Sequence, residues 1–250
     1  MTAFLDISAP VALLEMNVPA RHNALNTEML ADLQSGLDRV EREHRGPVLR
    51  VRGRGSSFCS GFDLDLIEGD RAILDHFLRE LSTISRRLRR MRKVVVAEVQ
   101  GSALAGGCAL LSSCDLVCVA PDARIGYPVH RIGVSPAVSI PTLASMIGSS
   151  QAGRLMLSGD IIDGREAMRI GLAHHLADSS QALPELVDDV CASLAGKGWN
   201  ALAVTKAWVN EIIGSDSDDD FDRTLEGSIR TGRSEEATRM LGAYWKRKAD

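Results

Sequence analysis

Short apolar runs of strand length alternate with longer stretches of helical periodicity through the first two thirds of the chain, and this alternation limits the fold more than any other feature. Val11–Met16 is such a run, and Asn17-Val18-Pro19-Ala20 ends it because proline cannot continue a strand ladder. A helix is predicted to begin at Asn26 or Thr27, either of which can cap it, with Leu30, Leu33, Leu37 and Val40 at helical spacing. Gly46-Pro47 breaks the chain before a second strand over 48–51. A glycine- and serine-rich turn covers 53–61, and an increasingly basic helical pattern covers 71–91. A buried type of strand over 93–99, a glycine-rich turn over 101–107, a short helix over 108–113 and a strand over 116–120 follow. Such a succession predicts an α/β fold with much parallel pairing. Beyond about residue 144 nearly everything reads as helix, and the predicted division is a core over 1–195 and a helical region over 196–250.

The 250 residues suffice for one sizeable core. With 45% hydrophobic and 25% charged residues, the composition excludes disordered and collagen-like classes. A formal net charge of -4 gives no global field for nucleic acid or anionic lipid. No apolar run approaches the length of a bilayer span. The start, Met1-Thr2-Ala3-Phe4, lacks the basic and apolar regions of a secretory signal, so the cytoplasm is the expected compartment, with neither nucleic acid nor membrane as partner. Cys59, Cys108, Cys114, Cys118 and Cys191 form no CxxC pair and read as buried reduced thiols. A zinc site on Cys108, Cys114, Cys118 and His130 has the wrong spacing. Two charge runs, basic over 86–93 and acidic over 216–220, read as solvated faces, the first at a helix end and the second at a helix start.

Two glycine-containing turns carry the chemistry. The first is Ser56-Ser57-Phe58-Cys59-Ser60-Gly61-Phe62-Asp63-Leu64, and the second is Val99-Gln100-Gly101-Ser102-Ala103-Leu104-Ala105-Gly106-Gly107-Cys108. Neither is a P-loop or a GxGxxG turn. Taken in order, they resemble the F-x-x-G-x-D-L and G-x-A-x-G-G-G segments of the crotonase (enoyl-CoA hydratase/isomerase) superfamily. Arg21-His22-Asn23-Ala24-Leu25 resembles its R-x-N-A-L segment, Cys114-Asp115-Leu116 its C-D-L, and Ala123-Arg124-Ile125-Gly126-Tyr127-Pro128 its A-x-F-G-x-P. Ser158-Gly159 and Ala167-Met168-Arg169-Ile170-Gly171-Leu172 extend the match over nearly the whole chain.

The resemblance implies a crotonase-like spiral of ββα units with a C-terminal helical region that packs in a trimer or a dimer of trimers. It implies an acyl-CoA substrate, with coenzyme A as part of the substrate and no metal or redox cofactor. The backbone N–H groups of Phe62 and Gly106 would form an oxyanion hole, worth about 3–4 kcal/mol per donor in comparable sites. Gly107 would let the helix start close to the thioester. Ala20, Arg21, Leu25, Asp63 and Leu64 would line the CoA path, although many relatives place a lysine where Asp65 stands. Tyr244 and Arg247 match residues with which relatives reach the CoA of a neighbouring subunit; an amphipathic terminal helix explains them equally well.

The same comparison shows what is missing. The two glutamates of the family's hydratases fall on Ala109 and Val129, and an aspartate used by other members falls on Ala137. Apolar side chains move no protons, so standard hydration is not expected. Tyr127, His130, Arg131 and Ser135 remain as polar candidates, and imidazole chemistry suits His130 to proton transfer, unless His130 and Arg131 face solvent or a subunit interface. Glu98 and His76 are further candidates with plain structural alternatives. Three readings follow: an acyl-CoA enzyme such as a decarboxylase, isomerase or hydrolase; a non-catalytic acyl-CoA-binding homologue; and a protein that holds a nucleotide phosphate on 101–107.

Overall fold

The computed structural model describes residues 1–249 apart from residues 9 and 69. Strands β1 (Ala3–Asp6) and β2 (Val11–Met16) form an antiparallel pair, followed by helix α1 (Thr27–Glu43). The Asn26 side chain caps α1 by accepting from the Met29 N–H at 2.8 Å. Two strand pairs then alternate with helices: β3 (Val48–Gly53), β4 (Ser57–Cys59) and α2 (Arg71–Arg90); β5 (Val94–Val99), β6 (Ser102–Leu104) and α3 (Gly106–Ser112). β7 (Leu116–Val119) and β8 (Arg124–Gly126) precede a 3-10 helix over Pro128–Ile132, α4 (Ile140–Ser158), β9 (Ile161–Ile162), α5 (Gly164–Arg169) and β10 (His175–Leu176). Four helices finish the chain: α6 (Leu183–Ala195), α7 (Trp199–Ile213), α8 (Asp218–Gly232) and α9 (Glu235–Ala249).

The pairs β3/β4, β5/β6 and β7/β8 each divide between two sheets. The first members join a six-stranded sheet in the order β1-β2-β3-β5-β7-β10, parallel from β2 onward. The second members join a four-stranded sheet in the order β4-β6-β8-β9. The chain therefore turns a corner inside each of these pairs, and successive units stack as a spiral. Corners stack closely enough that glycine is needed: a Cβ on Gly101, whose φ is +98°, would lie 2.0 Å from the Ser56 carbonyl oxygen. Gln100 ties the same corners by donating from Nε2 to the carbonyls of Gly55 and Ser57, both at 3.2 Å, and of Gly53.

One face of the large sheet packs against α1 and α2. Their Leu30, Leu33 and Leu37, and Leu74, Phe77, Leu81 and Ile84, are buried at helical spacing, each worth about 1.5–3 kcal/mol when removed from water. The opposite face, with Val94, Val96 and Cys118, is covered by Leu183, Val187 and Cys191 of α6. All five cysteines are free and buried. No helix among the described residues is long and apolar enough to cross a membrane.

The C-terminal helices are fixed to the core by polar contacts. Lys206 of α7 is buried, and its Nζ donates to the carbonyls of Leu88 (2.8 Å) and Lys93 (2.9 Å) and to Asp115 Oδ2 (2.7 Å). The basic and acidic runs do not face solvent separately. Arg86 pairs with Asp218 and Asp222, and Arg90 with Asp218, so the acidic start of α8 neutralises the basic end of α2.

Candidate active site

The two glycine turns lead to one cavity of about 320 Å³. Gly61, with φ +95°, carries the first turn past Leu25. The Leu25 N–H donates to the Gly61 carbonyl at 2.8 Å, and the Asp63 N–H donates to the Leu25 carbonyl at 2.9 Å. In such a parallel bridge the residue between, Phe62, turns its own N–H to the opposite side. The second turn reaches Gly106, first residue of α3, whose N–H has no acceptor within the helix. The two turns touch: a Cβ on Gly106 would lie 3.0 Å from Leu25 Cδ1, and 3.6 Å from both Gly61 Cα and Phe62 Cε1. Phe62 and Gly106 both line the cavity.

Ala105 makes this meeting possible at the expense of strain. Its φ of +50° and ψ of -112° are sparsely populated for a residue with a Cβ. The ψ angle sets the direction of the next N–H, that of Gly106. The conformation is held from both ends, by the Ala105 N–H donating to the Gly126 carbonyl at 2.9 Å and by the Ala109 N–H donating to the Ala105 carbonyl at 3.0 Å.

The remaining walls are mostly apolar. Leu74, Leu78 and Leu81 of α2 form one side, and Val129, Ile132, Val134 and Val138 form another. Tyr127 also lines the cavity, but its hydroxyl is buried and has no well-formed hydrogen bond; Cys108, Ser139 and Ser112 are its polar neighbours. Burial pushes that phenol well above its ordinary pKa, so it stays protonated. Burial likewise pushes the Cys59 and Cys108 thiols up to about 12, which removes both as thiolate nucleophiles at neutral pH.

Several expected site residues meet here: Phe62, Leu64, Gly106, Tyr127, Val129, Tyr244 and Arg247 all line the cavity. Leu25 lies buried beneath the Gly106 turn. Gly107 packs on β4, where a Cβ would come within 2.2 Å of the Cys59 carbonyl oxygen. Ala20 is exposed and lies outside the lining. Arg21 is engaged by Asp63 at 2.8 Å and Asp65 at 3.2 Å, and Asp65 also meets Lys248 of α9. The Lys248 ammonium, with Arg21 beside it, holds the Asp65 carboxyl below the usual aspartate range.

Other candidate positions lie outside the cavity or reach it from their own chain. His130 is exposed and does not line the cavity. With three residues per turn, the 3-10 helix points Val129 and Ile132 inward and His130 elsewhere. Tyr244 and Arg247 reach the cavity of their own chain, because α9 folds back over the first turn and Trp245 Nε1 donates to the Leu64 carbonyl at 3.1 Å. Ala137 faces a surface hollow beside α8 instead of the cavity. Glu98 is buried in an ion pair with Arg50 at 2.6 Å, away from this site, and the exposed His76 is absent from the lining. Conversely, Arg131 and the leucines of α2 belong to the cavity. The i, i+4, i+7 spacing of Leu74, Leu78 and Leu81 could have marked that wall; nothing in the sequence distinguishes it from ordinary core.

Two sheets in a ββα spiral, with two glycine turns meeting at a mostly apolar cavity, define the class of α/β protein. The chain belongs to the enoyl-CoA hydratase/isomerase family, within the crotonase superfamily: the family's sequence profile matches residues 6–238. It is 30% identical over 220 residues to crotonyl-CoA hydratase of Syntrophomonas wolfei, covering 86% of this chain and 83% of the relative. It is 27% identical over 217 residues to short-chain-enoyl-CoA hydratase of Clostridium acetobutylicum, covering 86% and 83%. Among solved structures, an enoyl-CoA hydratase from Mycobacterium avium superimposes with a TM-score of 0.85 at 27% identity, covering 98% of this chain and 96% of that one.

Proposed function

We propose that this protein binds an acyl-CoA thioester in the cavity and stabilises an enolate oxygen through the N–H groups of Phe62 and Gly106. The observation that carries the reading is the contact between the two turns, whose Phe62 and Gly106 both line one mostly apolar cavity. Donors fixed in advance where charge develops are the main source of stabilisation in such chemistry.

Standard hydration does not fit the residues present. Ala109, buried one turn into α3, and Val129, in the cavity wall, stand where the resemblance puts the hydratase glutamates. A reaction that needs the donors more than a base is favoured, such as decarboxylation of an α-carboxylated thioester. There the C–CO2 bond breaks, its electron pair enters the thioester as an enolate, and the α-carbon then takes a proton from solvent. Isomerisation and thioester hydrolysis are the other reactions in this class. The same empty positions favour a second reading, an acyl-CoA-binding protein without turnover.

The test is calorimetric titration with acetyl-CoA and crotonyl-CoA, with crotonyl-CoA absorbance followed in parallel and malonyl-type thioesters assayed next. Binding without hydration is expected. Gly106→Pro deletes one donor and should abolish turnover, with the fold checked because proline restricts the backbone of Ala105 before it, and with Gly106→Ala as the control that keeps the N–H. Rapid hydration of crotonyl-CoA would sink the argument from Ala109 and Val129, and absence of any turnover would leave the binding-protein reading.

The chain also fits a homotrimer or a dimer of trimers. Val204, Trp208 and Ile212 form an exposed apolar stripe at i, i+4, i+8 on α7, flanked by Val209 and Ile213, and large contiguous apolar surface is uncommon on monomers. Light scattering on the purified chain is expected to give three or six copies, and a monomer at micromolar concentration would exclude both.

A further inference from the structure

A second hollow, of about 530 Å³, opens on the surface between the ends of α1 and α2 and the start of α7, and it shares no lining residue with the cavity described above. Six cations line it, Arg45, Arg86, Arg87, Arg90, Arg92 and Lys93, against one carboxylate, Glu41. Three of them are neutralised within the chain. Arg86 and Arg90 pair with the acidic start of α8, and Arg87 pairs with Asp38 at 2.7 Å and Glu41 at 2.9 Å. Arg45, Arg92 and Lys93 have no carboxylate within ion-pair distance among the described residues.

Lys93 is the unusual member. It is only 5% exposed. Two of its three ammonium N–H groups are used, by the carbonyls of His44 at 2.9 Å and Gly46 at 2.8 Å. A buried cation without a counter-ion is costly. Burial, together with the charge of Arg45, lowers the Lys93 pKa, and Glu41 opposes that shift. Lys93 Nζ lies 5.9 Å and Arg92 Cζ 6.0 Å from the centre of one ring, that of Trp199, which gathers both cations at the hollow. Arg92 also donates to Asn200 Oδ1 at 3.2 Å. Trp199 stands nine residues before Trp208 on α7, which is about two and a half helical turns. The hollow and the exposed apolar stripe are therefore on opposite sides of that helix.

We propose that Arg45, Arg92 and Lys93 form a seat for a diphosphate group, either free or carried by a nucleotide whose base lies on Trp199. Guanidinium groups meet phosphate oxygens with paired donors, and an ammonium meets them as a point charge. A diphosphate offers enough oxygens and enough charge for all three cations, whereas one carboxylate leaves two of them unmatched. The seat lies outside the cavity and does not depend on the acyl-CoA reading.

Calorimetry on the full chain with inorganic pyrophosphate and with ADP, at low salt and without divalent metal, tests it. Saturable binding of pyrophosphate is expected, weakened by about tenfold or more in the double variant Arg45→Ala with Arg92→Ala. Both of these side chains are exposed, and an unchanged melting temperature checks that the variant folds. A nucleotide source makes ADP the tighter ligand, an advantage that Trp199→Leu removes; equal affinities for ADP and pyrophosphate assign the seat to the diphosphate alone. No saturable binding of pyrophosphate up to millimolar concentration, or equal affinity in parent and double variant, overturns the proposal. Failure to bind any thioester would end the acyl-CoA reading and leave the pyrophosphate titration to decide the seat.

Discussion

Arg86 on α2 and Asp218 at the start of α8 lie 132 residues apart in sequence and pair at 3.0 Å, which joins the two charge runs of the chain. Arg86 also meets Asp222 and lies 5.1 Å from the Phe221 ring centre. An isolated surface pair contributes little, but a shared guanidinium that also covers an aromatic face contributes more. Arg86→Ala is expected to cost about 1–2 kcal/mol in urea unfolding, and Asp218→Arg to cost more by opposing Arg86 and Arg90. Equal stability of parent and Arg86→Ala would show the two runs to be independent.

Lys206 is the buried cation that ties α7 to the sheet. Burial lowers its pKa, and the nearby Asp115 opposes that shift. Removing one member of a buried pair leaves the other uncompensated, so Lys206→Met should destabilise by about 3 kcal/mol. The double variant Lys206→Met with Asp115→Asn should recover part of that loss. A double variant worse than the sum of the singles would refute the pairing account.

Stability should fall in mild acid because of His174. Its Nδ1 accepts from the Val117 N–H at 3.0 Å, which requires the neutral ring. Burial, helped by the neighbouring His175, lowers its pKa below the ordinary 6.5. In the unfolded chain the imidazole takes a proton near pH 6.5 while the folded ring does not, so the unfolded state binds more protons. The contribution is fully present above pH 6.5 and is lost as pH falls from there toward the folded pKa, at no more than about 1.4 kcal/mol per pH unit. His174→Gln, which keeps a polar side chain without titration, should flatten this part of the stability curve. An unchanged slope between pH 6.5 and 5 would assign the loss to other groups.

Ala105 offers a test of backbone strain beside the two turns. A Cβ at its positive φ costs of order 1–3 kcal/mol, whereas glycine there loses only about 0.5–1 kcal/mol in unfolded-state freedom. Ala105→Gly is therefore expected to melt no lower than the parent, and Ala105→Val to melt several degrees lower. A clear drop in melting temperature for Ala105→Gly would mean that the methyl group, packed near Gly61, outweighs the strain.

Much of the large sheet was legible because Val11–Met16, the 93–99 run and the helical spacing of Leu30 through Val40 carry strong periodicity. The small sheet was not. β4, β6 and β8 have three residues each, too few to show alternation, and they lie inside segments whose glycines read as turns. Phe62 and Gly106 were placed by resemblance, and the structure brings their turns together. Arg131 and His130 are adjacent on a single 3-10 turn, where a rotation of one position decides which side chain meets the cavity, and no periodicity in so short an element fixes that rotation. The pairing of Arg86 with Asp218 was invisible for another reason: each run alone is indistinguishable from a solvated helix end.

Phe62 follows the corner of one coil and Gly106 follows the corner of the next, so how closely the two turns meet depends on how closely the corners stack. Gly101 against Ser56, with Gln100 bonded across, sets that stacking. A substitution at residue 101 is therefore expected to act on the cavity without lining it, as a change of axial rise between the two turns.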